Sequence, residues 1–126
     1  MKRDYNLFLR DIILAMRSIE EFLGDMDLDE LSVDDKTSSA IIRKFEIIGE
    51  ATKHLPEDLK ELHPEIPWKS MSGMRDRLIH AYFGIDYKLV WEAIKIEIPK
   101  LKPQLQDILR ELEEKIEIKC NCLIFD

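Results

Sequence analysis

Apolar side chains recur at steps of three and four over the first two dozen residues, the period of one buried face of an α-helix. They are Tyr5, Phe8, Leu9, Ile12, Ile13, Met16, Ile19 and Leu23, with Asp4, Arg10, Asp11, Arg17 and Glu21 mostly on the opposite side. The spacing predicts an amphipathic helix of about six turns ending near Gly24, then an acidic connection over residues 25–33. A second helix is expected from Asp34 or Asp35, either of which can cap it and favour its positive end. Ile41, Phe45, Ile48, Thr52 and Leu55 form its seam for another helix. Gly49 inside that seam costs about 1 kcal/mol relative to alanine, which the close approach of a neighbouring helix would explain.

Pro56 opens a short helical turn through Leu62, and Pro64 and Pro67 force an extended crossing to Trp68. Ser70 or Ser72 can cap a third helix carrying Met71, Met74, Leu78, Ile79 and, near its end, His80, with Gly84 as the stop. Asp86 caps a fourth, with Tyr87, Val90, Trp91, Ile94 and Ile98 on one face. Pro99 and Pro103 lie four apart, so the chain is expected to bend or break there. A fifth stretch runs through Leu105, Ile108, Leu109 and Leu112. Ile116, Ile118, Cys120, Cys122 and Ile124 alternate strictly instead, the period of a strand, and predict an extended C-terminal arm. The fold class is therefore all-α, an antiparallel four- to five-helix bundle with a core at about residues 4–114 and a tail at 115–126.

Composition sharpens this picture. One domain is expected from 126 residues without a long polar linker, and four glycines with five prolines leave little material for a β-sandwich. No run approaches the roughly 18 apolar residues of a membrane span, and the N-terminus lacks the apolar stretch of a signal peptide. A cytoplasmic protein with no membrane partner is expected. The net charge of −7 argues against a general polyanion binder, because proteins that grip nucleic acid through phosphate neutralisation carry a basic excess. Cys120 and Cys122 supply half a zinc site at best, with no histidine nearby; neither a metal nor another cofactor is expected.

The chemistry concentrates between Trp68 and Tyr82, where Arg75, Asp76, Arg77, His80 and Tyr82 fall within eight residues. Arginine presents a fixed fork of donors to a phosphate, and histidine moves protons near neutral pH. That pairing suits a phosphodiester. On a regular helix, residues five apart point about 140° from each other, so Arg75 and His80 would share a ligand only if the helix loosens or a second chain contributes. Two-fold pairing of third helices would gather two arginines and two histidines, one imidazole acting as base and the other as acid. Asp76 and His80, four apart, would touch on a helix, and the carboxylate would favour the charged imidazole.

Taken together, Ile47-Ile48-Gly49-Glu50-Ala51, Ile66-Pro67-Trp68, Gly73-Met74-Arg75-Asp76 and Leu78-Ile79-His80-Ala81-Tyr82 resemble the HEPN superfamily, specifically HepT-like toxins of nucleotidyltransferase/HEPN toxin–antitoxin pairs. The likeness runs over about residues 5–112. It implies a metal-independent ribonuclease with a composite site at a homodimer interface. Arg75 and His80 would be catalytic, Asp76 and Arg77 supporting, the substrate an RNA such as tRNA or mRNA. It also implies a nucleotidyltransferase antitoxin that adenylylates Tyr82. Many HEPN ribonucleases carry asparagine where this chain has Asp76, a carboxylate that repels phosphate.

Each residue also has a plainer reading. Arg75 and Asp76 can be surface ion-pair formers, His80 a hydrogen-bonded interface residue and Tyr82 a half-buried anchor. Trp68 and Trp91 are core anchors, His54 sits at a helix C-terminus and His63 in a loop. The competing function is a non-catalytic module that binds its nucleotidyltransferase partner or presents a nucleotide to it; a purely structural dimer is the third.

Overall fold

A computed structural model describes residues 5–80 and 84–125; the side chains of His80 and of residues 116–125 lie outside that description. The first helix, α1 (Tyr5–Leu23), buries Leu9, Ile12, Ile13, Met16, Ile19 and Leu23 along the predicted stripe. It ends at Gly24, whose φ of 53° is a left-handed conformation that glycine adopts without a Cβ penalty. Residues 28–33 form a further helix, α2 (Leu28–Val33), in place of the expected acidic connection. Its cause is a capping box: the Asp27 carboxylate accepts from the Glu30 N–H at 2.8 Å, and Glu30 accepts from the Asp27 N–H at 3.2 Å. Asp34 then caps α3 (Asp35–Lys53), accepting from the Thr37 N–H at 2.9 Å.

α1 packs most extensively on α3, and α8 (Ile98–Phe125) covers another side of α1. The four seam positions on α3, from Ile41 to Thr52, are buried, as is Leu55 just beyond its end. The Thr52 hydroxyl, inside that core, donates to the Ile48 carbonyl at 2.6 Å and so leaves no buried polar atom unpaired on its side chain. Gly49 faces α5 (Trp68–Ser72): a Cβ there would stand 3.1 Å from the Ser72 carbonyl oxygen. The expected close approach is real. The extended crossing after α4 (Glu57–Leu62) is pinned by Trp68, whose indole N–H is shared between the carbonyls of His63 and Lys60 at 3.0 and 3.2 Å.

Two expectations give way at the C-terminal end. The chain does not break at Pro99; α7 (Tyr87–Glu92) continues through a π-helical segment, Ala93–Glu97, into α8. Proline has no N–H for a regular i→i−4 bond, and a turn of wider i→i+5 bonding immediately before Pro99 absorbs that mismatch. Nor is the tail an extended arm. α8 runs to Phe125 as helix. A lone strand would leave its backbone groups unpaired, whereas continuing an existing helix closes one bond per added residue without a new nucleus. No described helix is long and apolar enough to cross a membrane.

Candidate functional site

The expected third helix is broken in two places. α5 stops at Ser72, and Gly73 (φ −96°, ψ 8°) separates it from α6 (Met74–Leu78). Ile79 then leaves the helix altogether at φ −121°, ψ 123°. Ile79–His80 forms a two-residue strand, β1, paired antiparallel with β2 (Gly84–Ile85), so that His80 lies opposite Gly84. The Asp86 N–H closes the hairpin on the Leu78 carbonyl at 2.8 Å, and the Asp86 side chain caps α7 through the Leu89 N–H at 3.1 Å. Gly84, at φ 73°, supplies the left-handed turn. The connecting residues, which include Tyr82, lie outside the described residues.

This hairpin removes the helical constraint on the Arg75–His80 pair, because the two residues no longer share one helix. It also removes the helical basis of the expected Asp76–His80 contact, since α6 ends at Leu78 and the one-turn spacing does not apply; the contact itself involves a side chain outside the description. The Asp76 carboxylate is 86% exposed and lies 3.5 Å from Arg75 Nη1.

α6 packs against α3 and α7. Its Arg75 reaches back to α3, where Nε lies 3.4 Å from Glu46 Oε1. Glu46 also accepts from Arg43 Nη1 at 3.3 Å. Sequence reasoning missed Glu46, since a partner 29 residues away leaves no local spacing signal. Arg77 turns elsewhere: its guanidinium donates to Met74 Sδ at 2.9 Å and lies 3.7 Å from Glu97 of the π segment. The two arginines are therefore separate, and only Arg75 lines a cavity of about 360 Å³ formed with Asp11, Glu46, Glu50, His54 and Ser72.

Phe8 forms another wall of this cavity, its ring stacked on the His54 imidazole with centroids 5.0 Å apart and planes 15° from parallel. Arginine, histidine and several carboxylates thus meet on one open surface. It can bind a phosphate at Arg75 and accept hydrogen bonds elsewhere along its rim. Among the described residues no cluster of histidine, cysteine and carboxylate side chains has metal-ligand geometry. Trp68 is buried as expected, and Trp91 is half-buried, its indole N–H 3.5 Å from the Met26 carbonyl. His63 follows α4 and pairs with Glu65 at 3.5 Å.

The described helices are interrupted by a short hairpin that carries His80, and the helix leading into it places Arg75 on the cleft wall. The family model for HepT-like ribonucleases matches residues 12–108. The chain belongs to that family. It is 48% identical over 114 residues to a Methanocaldococcus jannaschii protein named "Putative RNase MJ0125", covering 90% of this chain and 98% of that protein. It is also 48% identical over 108 residues to a Thermococcus cleftensis protein named "Probable ribonuclease HepT", covering 86% of this chain and 98% of the relative. No solved structure matches the chain.

Proposed function

We propose that the chain is the toxin of a type VII-like toxin–antitoxin pair, cutting RNA through Arg75 and His80 and silenced by adenylylation of Tyr82. The observation that carries this reading is an exposed Arg75 on a cleft wall, in a five-residue helix leading directly into the His80 hairpin, in a chain of the HepT-like ribonuclease family. His80 takes the proton of a ribose 2′-hydroxyl. The freed oxygen attacks the adjacent phosphorus, the bond to the 5′-oxygen breaks, and a second imidazole protonates that leaving oxygen. The products are a 2′,3′-cyclic phosphate and a 5′-hydroxyl. Positioned proton transfer contributes typically about 10²–10⁴-fold, and Arg75, holding the phosphate as its charge grows, contributes on the scale of an oxyanion donor, about 10²–10³-fold.

The second imidazole comes from a second copy of the chain. Leu7 and Leu14 of α1 are 41% and 56% exposed, and by the roughly 100° helical step they adjoin the strip carrying Asp11, which lines the cleft. Apolar area beside the cleft supports a homodimer built there. The nucleotidyltransferase partner transfers AMP from ATP to the Tyr82 hydroxyl, releasing pyrophosphate. The added group places bulk and negative charge two residues from His80, where an RNA phosphate would otherwise sit.

A second reading has its own support. Arg75 faces two carboxylates, at 3.4 and 3.5 Å, and these compete with phosphate. A non-catalytic module that binds the nucleotidyltransferase follows if that competition wins. RNA cleavage with excess EDTA separates the readings. We expect cutting to persist in chelator and to fall at least about 10²-fold in Arg75→Ala and in His80→Ala. Loss of cutting in EDTA, or undiminished cutting by the double variant, overturns the mechanism. A stable complex with the partner, without growth arrest when the chain is expressed alone, supports the second reading.

A further inference from the structure

We infer that the cleft beside Arg75 is a nucleobase subsite, in which a guanine stacks on His54 and presents its donor edge to Glu50. The inference rests on the ribonuclease reading for its phosphate end; the base end stands on separate observations.

The first is the stacked pair itself. Phe8 is half-buried against the core and covers one face of the His54 imidazole at 5.0 Å. His54 caps the C-terminus of α3, its backbone N–H donating to the carbonyls of Ala51 and Thr52. Its ring is therefore supported from behind by Phe8 and its backbone fixed by the helix end. The residue is nevertheless exposed and lines the cleft, so its other face is offered to a planar ligand. Bases stack on such platforms with a gain of roughly five- to a hundred-fold in affinity, whatever their sequence.

Size and charge then narrow the ligand. The volume of about 360 Å³ lies within the usual range for small-molecule sites, about 300–1,000 Å³. Three cationic side chains (Arg43, Lys53 and Arg75) face four carboxylates (Asp11, Glu46, Glu50 and Asp76) around it. A cradle for phosphate alone would be electropositive. This balance suits a ligand bringing one phosphate to Arg75 and a hydrogen-bond-donating edge to a carboxylate. Guanine offers two adjacent donors, N1–H and the N2 amino group, which match the two oxygens of one carboxylate. Uracil offers a single N–H between two carbonyls, which a carboxylate repels.

Glu50 lies one turn before His54 on α3, on the same face. Its present partner, Lys53 Nζ, is 3.8 Å away and both side chains are mostly exposed, an ion pair that exchanges readily for a ligand contact.

The test uses guanosine 5′-monophosphate and uridine 5′-monophosphate titrated into the full chain. Imidazole proton resonances are followed by NMR, with His54 assigned by its disappearance in His54→Ala. We expect guanosine monophosphate to move the His54 resonance upfield, as a stacked ring must, and to bind about tenfold more tightly than uridine monophosphate. His54→Ala should lose about tenfold in that affinity while His54→Tyr retains it, and Glu50→Gln should reduce guanosine monophosphate to the uridine level. A His54 resonance unmoved by guanosine monophosphate, or equal affinity for both nucleotides, overturns the subsite. RNA cleavage by the same proteins keeps the two readings apart. Guanine binding without any RNA cleavage sinks the ribonuclease mechanism and leaves the subsite standing. Cleavage whose base preference is the same in wild type and His54→Ala sinks the subsite and leaves the mechanism.

Discussion

Two single residues show how local chemistry reaches the site. Gly49 is normally a poor choice inside a helix, and alanine there would gain about 1 kcal/mol from propensity alone. Its added Cβ, however, would stand 3.1 Å from the Ser72 carbonyl, a backbone atom of α5 that cannot rotate away. Overpacking of this kind costs about 1–3 kcal/mol, so Gly49→Ala should lower the urea midpoint and Gly49→Val should lower it further. An alanine variant more stable than wild type would show that α5 yields freely. Asp34 offers a pH-dependent counterpart. The backbone N–H and the side chain of Thr37, with Lys36 nearby, hold its carboxyl below the ordinary value of 3.8. Its ionised form is favoured in the folded state, so its contribution is complete above pH about 4 and fades as pH falls through the lower folded-state value. Asp34→Asn keeps a capping side chain but cannot titrate. Wild type should therefore exceed Asp34→Asn in urea midpoint at pH 6, and that margin should shrink by pH 3.

At the scale of elements, α1 and α3 were legible because their long amphipathic stripes carry the same information as their packing. Every seam position from Ile41 to Thr52 of α3 is buried, and so is Leu55 after it. The segment around the site was not. Met71, Met74, Leu78 and Ile79 fit one helical period, yet α5 and α6 are five residues each and are held by α3 and α7 rather than by their own propensity. The hairpin that takes His80 out of the helix depends on Gly84 and on the Leu78–Asp86 bond, neither of which alters the apolar rhythm. α2 was readable in principle, since Asp27 and Glu30 have capping-box spacing, but six residues leave too few apolar positions to show a period. In the tail, alternation misled because Ile116 also continues the 105–108–109–112 helical series, and a preceding helix decides between the two periods. Deleting residues 116–126 should accordingly lower the total helical signal at 222 nm by about ten residues' worth, consistent with one closed bond per residue. Among the described side chains of α8, Ile108 is the last that is fully buried, with Leu109 and Leu112 packed half-buried against the core. A truncation that leaves the helical signal unchanged would restore the extended arm.

The whole-molecule question is whether one chain suffices for the chemistry. A single copy has one Arg75 and one His80, whereas the mechanism proposed above uses one imidazole as general base and another as general acid. Two-fold pairing would supply both in one cleft, since an isologous interface puts the same surface of each copy against the other. The proposal has a quantitative signature in mixtures. If wild-type and His80→Ala chains are unfolded together and refolded at fixed total concentration, random pairing leaves active only the dimers with two intact histidines. Activity should then follow the square of the wild-type fraction, falling to about one quarter in an equal mixture. Chains that work singly, or sites each completed within one chain, give a linear decline to about one half. A linear result, with both proteins shown to exchange partners by mass, would confine acid and base to a single chain. His80 would then need a second proton carrier from its own chain, and His54, which lines the cleft with Arg75, would be the first side chain to replace.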